Sequence, residues 1–574
     1  MKRRDFIIKS SIAGVALVAI PKIYSQTNKI TKLQAGNPLR FPPELQPGES
    51  LIFNSANVEV WPGTTTQILG LNNSYPGPTI RVQKGSDFTV LFENQYTEEA
   101  TIHWHGLLVP ELMDGQPKDA VQAGANYTYS FPINQRAGTY FYHSHAHHLT
   151  AKHVYKGYAG FFIIESDEEL QYGLPTGAYD IPLLIQDKHS IYQPQFNYAP
   201  TFMDGMLGYL GDVPLVNGTP EAFFEVQKTL YRFRIVNGSN ARVYKLGFSD
   251  NSQFWVIGTD GGLKDEAASV SNLFLSPGER IEILFDFSTY DIGNSISLQS
   301  QTFSGIGNQG TLMNILRFDI AGDSSSGGVV PQNLLPIDYY DIKDKTGTRT
   351  FTLSQGMMGT GMHRINGLTY DMNRVDEIIP FNELEEWKFI NSTNNYHPMH
   401  VHGVLFQIYS RDGSTKLAPN DKGWKDTVLV NPNETVQVLV KFIDYSGTYL
   451  LHCHNLEHED DGMMLNIKID APTNIEEDST PNNFELYQNY PNPFNPSTNI
   501  RFSLPNNDKV RLEVNDVRGR LVKSLIDSDY MNAGRYEFTW DGRNNRGESV
   551  ASGVYIMRLT CGSFIKSIKM SLMK

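Results

Sequence analysis

The stretch His452–Met463 reads HCHNLEHEDDGM and carries five side chains able to bind a soft or borderline metal: His452, Cys453, His454, His458 and Met463. In an extended chain successive side chains alternate faces. Cys453 then points one way and His452 and His454 the other, so one strand serves two metal sites joined through the backbone on either side of Cys453. His and Cys with a more distant Met form the ligand set of a blue-copper electron-transfer site, with Met as the weak axial ligand. That set requires a second His, and HPMHVH at 397–402 supplies one.

Of the 15 histidines, ten fall in four short clusters: His103/His105, His143/His145, His397/His400/His402 and His452/His454/His458. Every cluster contains an H-x-H pair, the spacing that puts both rings on one face of a strand. Histidines scattered through a core or over a surface would not group in this way. Four such pairs, together with HCH-x3-H-x4-M, make a specific signal.

HWHG at 103–106, HSH at 143–145, HPMHVHG at 397–403 and HCHNLEHEDDGMM at 452–464 resemble the four copper-binding motifs of the multicopper oxidases. The resemblance spans residues 50–470. Within the family it is strongest for bacterial laccases and periplasmic copper-efflux oxidases, supported by SDNSQFWVIGTDGG at 249–262 and GWKDTV at 423–428. It implies four copper ions: one type 1, one type 2 and two type 3. His397, Cys453, His458 and Met463 match the type 1 ligands, and His103 and His400 the type 2 pair. His105, His143, His145, His402, His452 and His454 match the type 3 ligands. The three-copper cluster then lies between the first and third domains. Met464 lacks the ligand spacing from Cys453 and reads as core.

Reduction of O2 to water takes four electrons and four protons. The resemblance gives Asp114, in MDGQ, and Glu459 proton-relay roles, against the plainer reading of a turn Asp and a solvated Glu. Asp426 matches an acid near the type 1 His. Two substrate classes follow. The preferred one is laccase-type oxidation of phenolic and other small aromatic reductants; the alternative is oxidation of Cu(I). Copper-efflux oxidases carry a long Met-rich insertion, whereas the corresponding QGMMGTGMH at 355–363 is short. Met357 and Met358, with Met362, Met203 and Met206, are soft donors that suit Cu(I). A non-catalytic cupredoxin-fold protein would have lost ligands, and none is missing.

At 574 residues the chain is too long for one domain,. A net charge of −14 without a basic run in its body argues against nucleic acid or an anionic membrane as the main partner,. Of the two cysteines Cys453 is claimed by copper, so no disulfide framework exists and Cys561 reads as a small buried hydrophobe,. KRRDF at 2–6 before the apolar run Ile12–Ile20 resembles a twin-arginine export signal, with cleavage expected near Ser25,. That run, bounded by Lys9 and Pro21, is too short to span a bilayer, so stable membrane insertion is not expected,.

Short runs rich in Val, Thr, Tyr and Phe between Gly, Pro and Asn turns predict an all-β protein. With the resemblance, the expectation is a signal at 1–25 and three cupredoxin-like Greek-key β-sandwiches at 46–166, 175–321 and 345–471. A linker at 472–483 and a small immunoglobulin-like sandwich at 484–574 follow. The middle domain holds one histidine, His189, and reads as a copper-free spacer. Ser324–Gly328, SSSGG, marks a flexible connection,. His147, His148 and His153 read as solvent-facing or supporting residues. ELYQNYPNPFNPSTNIRFSLP at 485–505, DVRGRLV at 516–522 and SGVYIMRL at 552–559 resemble the type IX secretion sorting domain; the plainer reading is an ordinary appended module. Passage through the periplasm by the export and type IX machineries, to the cell surface or medium, is thereby implied.

Overall fold

The computed structural model describes residues 36–324, 328–356, 362–470, 483–489, 492, 494–562 and 564–573. The export signal, most of the linker, Ser325–Gly327, Met357, Met358 and part of the NYPNPF motif lie outside them. The chain forms two compact units, Met1–Ala471 and Pro472–Lys574.

The first unit holds three two-sheet sandwiches in succession. In the first, the strand Asp87–Asn94 alternates, with Phe88, Val90 and Phe92 buried and Leu91 outward, as a half-solvated sheet requires,. The opposite sheet runs in the order Ile80–Gln83, Ala159–Glu165, Gly138–His143, His103–His105. It is buried on both faces. Tyr140, Tyr142 and Phe162 enter the first core, while Phe141, Phe161 and Ile163 pack on Leu184 and Val236 of the second sandwich. Antiparallel register sets His103 opposite His143 and His105 opposite Phe141. Both histidine motifs of this domain therefore lie on the face turned toward its neighbours.

The second sandwich pairs a six-stranded with a seven-stranded sheet, and its strand Arg280–Asp286 is apolar but for Arg280, Glu282 and Asp286. In the third, one sheet runs Glu377–Ile379, Met464–Ile469, Gly447–Cys453, His397–Val401, Thr427–Val430. Its register places Met399 opposite Cys453 and His400 opposite His452. Alternation then gives His397, Met399 and Cys453 to the core of the third sandwich, and His400, His402 and His452 to the outside.

The second unit is a three-stranded and a four-stranded sheet around Ile500, Phe502, Val510, Leu512, Trp540, Met557 and Leu559. Cys561 is buried there as a free thiol, as expected for a small hydrophobe. Among the described residues no helix is long and apolar enough to cross a membrane.

Candidate metal centre

One group of ligands sits at the end of the third sandwich. His397 opens its strand, and Cys453 closes the strand Gly447–Cys453. Asn455 then caps the helix Leu456–Asp460, its side chain accepting from the His458 N–H, and this turn swings His458 back toward Cys453,. Cys453 Sγ lies 3.5 Å from His397 Nδ1 and 3.7 Å from His458 Nδ1. Met463 is fully buried, and its carbonyl accepts from the Cys453 N–H at 3.0 Å.

The outer nitrogens are occupied. The Thr393 hydroxyl donates to Asn391 Oδ1 and so accepts from His397 Nε2 at 2.9 Å, while His458 Nε2 donates to the Met206 carbonyl at 3.2 Å. Both Nδ1 lone pairs are thereby left facing the thiol. Burial takes the His397 imidazole down to about 3 and holds His458 well below the ordinary range, while it pushes the Cys453 thiol up. Without a metal this site is a neutral thiol between neutral imidazoles, and a cation that binds must displace the thiol proton.

The second group gathers eight histidines from the first and third sandwiches. His105 Nδ1 and His454 Nε2 lie 3.4 and 3.3 Å from His143 Nε2; His145 Nε2 and His402 Nε2 lie 3.4 and 3.1 Å from His452 Nε2. These are two three-nitrogen sets. His103 Nε2 and His400 Nε2 are buried without a protein partner. Outer contacts orient the rings. His103 Nδ1 donates to the Asp114 carbonyl (2.9 Å), His400 Nδ1 to the Asp426 carbonyl (2.9 Å) and His402 Nδ1 to Asp114 Oδ2 (2.8 Å). Glu459 stands between His145 Nδ1 and His452 Nδ1, at 3.3 and 3.2 Å. Burial depresses His105, His143, His145, His402 and His454 well below the ordinary imidazole range and His400 to about 4. Neutral rings with converging lone pairs repel one another unless a cation lies between them, so the donor set fits metal ions.

Asp114 and Glu459 are 0% and 1% exposed, which removes the readings of a turn Asp and a solvated Glu. Asp426 needs correction: it lies at the cluster, its Oδ1 accepting from His105 Nε2 at 3.1 Å, and the group on His397 is Thr393. The expectation for His153 also changes in part, since it is fully buried, whereas His148 is exposed. The middle sandwich is more than a spacer. Its Met206 carbonyl touches His458, and its Gly278 lies against His454 and His105, where a Cβ would come within 2.9 and 3.0 Å.

Arg280 of the same sandwich completes the cluster wall, and sequence reasoning missed it. Its Nε donates to the Thr139 carbonyl, Nη1 to Gly278 O and Asp426 Oδ1, and Nη2 to Asp260 O and Asp426 Oδ2. All five donors of the fork are used, and they reach all three sandwiches. The final glycine of HWHG allows this approach: a Cβ on Gly106 would stand 2.4 Å from Arg280 Nη2. Burial alone would raise the Asp426 pKa; Arg280, then His105, more than offset it and hold the carboxyl well below its usual range. The signal that could have found Arg280 is a cation heading a largely apolar strand. A further missed residue is His363, whose ring stacks 3.6 Å from that of His458 and whose Nε2 meets the Gly205 carbonyl at 3.1 Å.

Comparison with known proteins shows the family. Family models described as multicopper oxidase match residues 53–169, 184–317 and 343–473, and a model described as FlgD Ig-like domain matches 494–562. A multicopper oxidase of Staphylococcus haemolyticus is 32% identical, over 78% of this chain and 96% of its own. The laccase of Bacillus subtilis is 30% identical, over 71% and 91%. The crystal structure of the multicopper oxidase McoA from Aquifex aeolicus superposes with a TM-score of 0.71 at 37% identity, covering 76% of this chain and all of that one. Other relatives carry other names, bilirubin oxidase and cell division protein FtsP among them. The chain belongs to the multicopper oxidase family. It is an all-β protein of three cupredoxin-like sandwiches and an immunoglobulin-like module, and a copper oxidoreductase that uses O2. Copper held by these side chains would supply one-electron redox chemistry. The protein's part is to bind, orient and bury: thiol and histidines in one site, eight buried rings in the other, and a path of three backbone bonds from Cα to Cα on either side of Cys453 between them,.

Proposed function

We propose that this chain oxidises phenolic and other small aromatic reductants one electron at a time and couples this to reduction of O2 to water. In this reading four copper ions are held. Type 1 takes His397, Cys453, His458 and Met463, and type 2 takes His103 and His400. The type 3 pair takes His105, His143 and His454 on one side and His145, His402 and His452 on the other. The observation that carries the reading is the position of Cys453, which joins the first site while its sequence neighbours His452 and His454 fall one in each three-nitrogen set. Asp114 and Glu459, buried against cluster histidines, act as proton donors.

Support for an aromatic substrate comes from the helix Phe202–Leu207. Its Met206 carbonyl touches His458, and Phe202 and Met203 on it are 52% and 54% exposed. Apolar side chains above the electron-accepting histidine suit a flat organic ring. A second reading, oxidation of Cu(I), has its own observation: Met362 Cε lies 3.3 Å from where a Cβ on Gly205 would stand, so thioethers share this rim,. Values of kcat/KM for a phenol, a diamine and Cu(I) on one copper-loaded preparation test the choice. Deleting residues 357–362 is expected to lower Cu(I) oxidation about tenfold, the cost of losing a supporting metal contact, and to leave phenol oxidation unchanged or higher. Equal losses would contradict both substrate readings for this loop.

Export by the KRRDF signal and delivery to the surface by the C-terminal module are part of the same proposal. A chain ending at residue 471 is expected to fold, bind copper and turn over substrate, because the module has a core of its own and holds none of the candidate ligands,. The truncated protein is expected in the periplasm. Its appearance at the surface in fractionated cells would refute the sorting role.

A further inference from the structure

Ser144 separates His143 from His145, and these belong to different three-nitrogen sets. Its side chain is fully buried and reaches a histidine outside the candidate ligand set: Ser144 Oγ lies 2.8 Å from His153 Nδ1. His153, on the short helix Thr150–Lys156, places Nε2 3.2 Å from Glu98 Oε2. Glu98 is 29% exposed and also pairs with Lys152. A serine, a histidine and a carboxylate in this order have the connectivity of a hydrolase triad. Hydrolysis is excluded here because Ser144 has no exposed surface from which to meet a substrate.

The chain of contacts fixes hydrogen positions instead. The His153 hydrogen bond, the largest influence, and Lys152 hold the Glu98 carboxyl down to about 2, and burial keeps His153 neutral. A carboxylate on Nε2 requires the proton there, so Nδ1 is an acceptor and the Ser144 hydroxyl must donate to it. The Ser144 hydroxyl is thereby locked in one rotamer. The backbone of the same residue orients a ligand, since the Ser144 carbonyl accepts from His143 Nδ1 at 2.8 Å. On the other side, the His145 N–H donates to Thr101 Oγ1 at 2.9 Å. The rings of His143 and His145 are held 6.1 Å apart, 24° from parallel.

We propose that Glu98, His153 and Ser144 form a positioning relay that sets the spacing of the two type 3 copper positions. The proposal rests on the copper reading above. His153 and Ser144 touch no reacting atom; they act through His143 and His145. Ser144→Ala and His153→Phe remove the relay, the first by deleting one oxygen and the second while keeping a ring against Phe53 and Tyr158. His153→Gln retains a donor and an acceptor and serves as the conservative rescue.

The measurements are copper per chain after dialysis against a graded chelator, the blue absorption, and the magnetic silence of the coupled copper pair by electron paramagnetic resonance. Loss of a ligand's own outer partner costs ~10–100-fold in affinity, and because both variants keep the Ser144 carbonyl on His143 the effect expected here is at the low end of that range,. Ser144→Ala and His153→Phe are expected to retain the pair ~10-fold less tightly and to show uncoupled copper, with the blue absorption intact and His153→Gln close to the parent. Unchanged coupling and affinity in Ser144→Ala would overturn the proposal. So would loss of blue absorption and coupling together, in step with a fall in melting temperature. Failure of the parent protein to hold a coupled pair would overturn the copper reading itself.

Discussion

Cys453→Ser is expected to abolish the blue absorption and to lower turnover of every reductant more than ~100-fold, beyond the cost of losing an outer partner of a ligand. The eight-histidine cluster is expected to keep its metal. The thiol is wholly buried between His397 and His458, and only a bound cation offsets the burial that holds its proton in place. A serine hydroxyl is far harder to deprotonate and, as a hard oxygen donor, does not replace a soft thiolate. The fold tolerates the change because serine is smaller and the Cys453 N–H bond to Met463 O is made by the backbone. His452 and His454 keep their register, so the cluster retains its nitrogens. Metal analysis and visible absorption of one preparation decide the matter: a variant that stays blue would remove Cys453 from the site, and one that loses all its metal would show the two sites to be a single cooperative unit.

The candidate ligands are legible because their information is local. H-x-H in a strand, and the H-C-H alternation, place rings on faces whatever the rest of the chain does. The two-sheet sandwiches were legible for the same reason, since strands such as Asp87–Asn94 alternate by themselves. Contacts between distant segments were not. Arg280 and Asp426 are 146 residues apart, and nothing local in the sequence pairs the acid, which the resemblance sets near the type 1 His, with that guanidinium. His153 looked like one of three histidines in a polar run, and only the helix Thr150–Lys156, which turns it inward onto Ser144, separates it from exposed His148. The middle sandwich looked inert because it lacks ligands. What it contributes are carbonyls, a glycine and a guanidinium, groups that carry no motif.

Arg280→Met is expected to destabilise the first unit by about 3–5 kcal/mol, the usual cost of leaving a buried charge without its partner, and to weaken copper retention by the cluster while the Cys453 site stays blue. The side chain is wholly buried, so its loss strands the Asp426 carboxylate and frees the Thr139, Gly278 and Asp260 carbonyls. Lys425 does not replace it, being engaged with Asp260 at 2.9 Å and Glu279 at 2.8 Å. Asp426 is also the acceptor for His105 Nε2, the bond that leaves His105 Nδ1 facing the cluster. The double variant Arg280→Met, Asp426→Leu separates the two effects. Removing both charges recovers most of the stability, because a buried pair replaced by apolar groups is often neutral. It removes the carboxylate acceptor of His105 and leaves only the Thr427 hydroxyl, 3.1 Å from Nε2, so copper retention stays low. Chemical denaturation of the metal-free proteins, beside copper counts after chelator dialysis, measures both quantities. Recovery of copper in the double variant would show that Arg280 serves the fold alone, whereas stability regained with the cluster still weak would show that the Arg280–Asp426 pair, shared by the second and third sandwiches, helps to hold the metal.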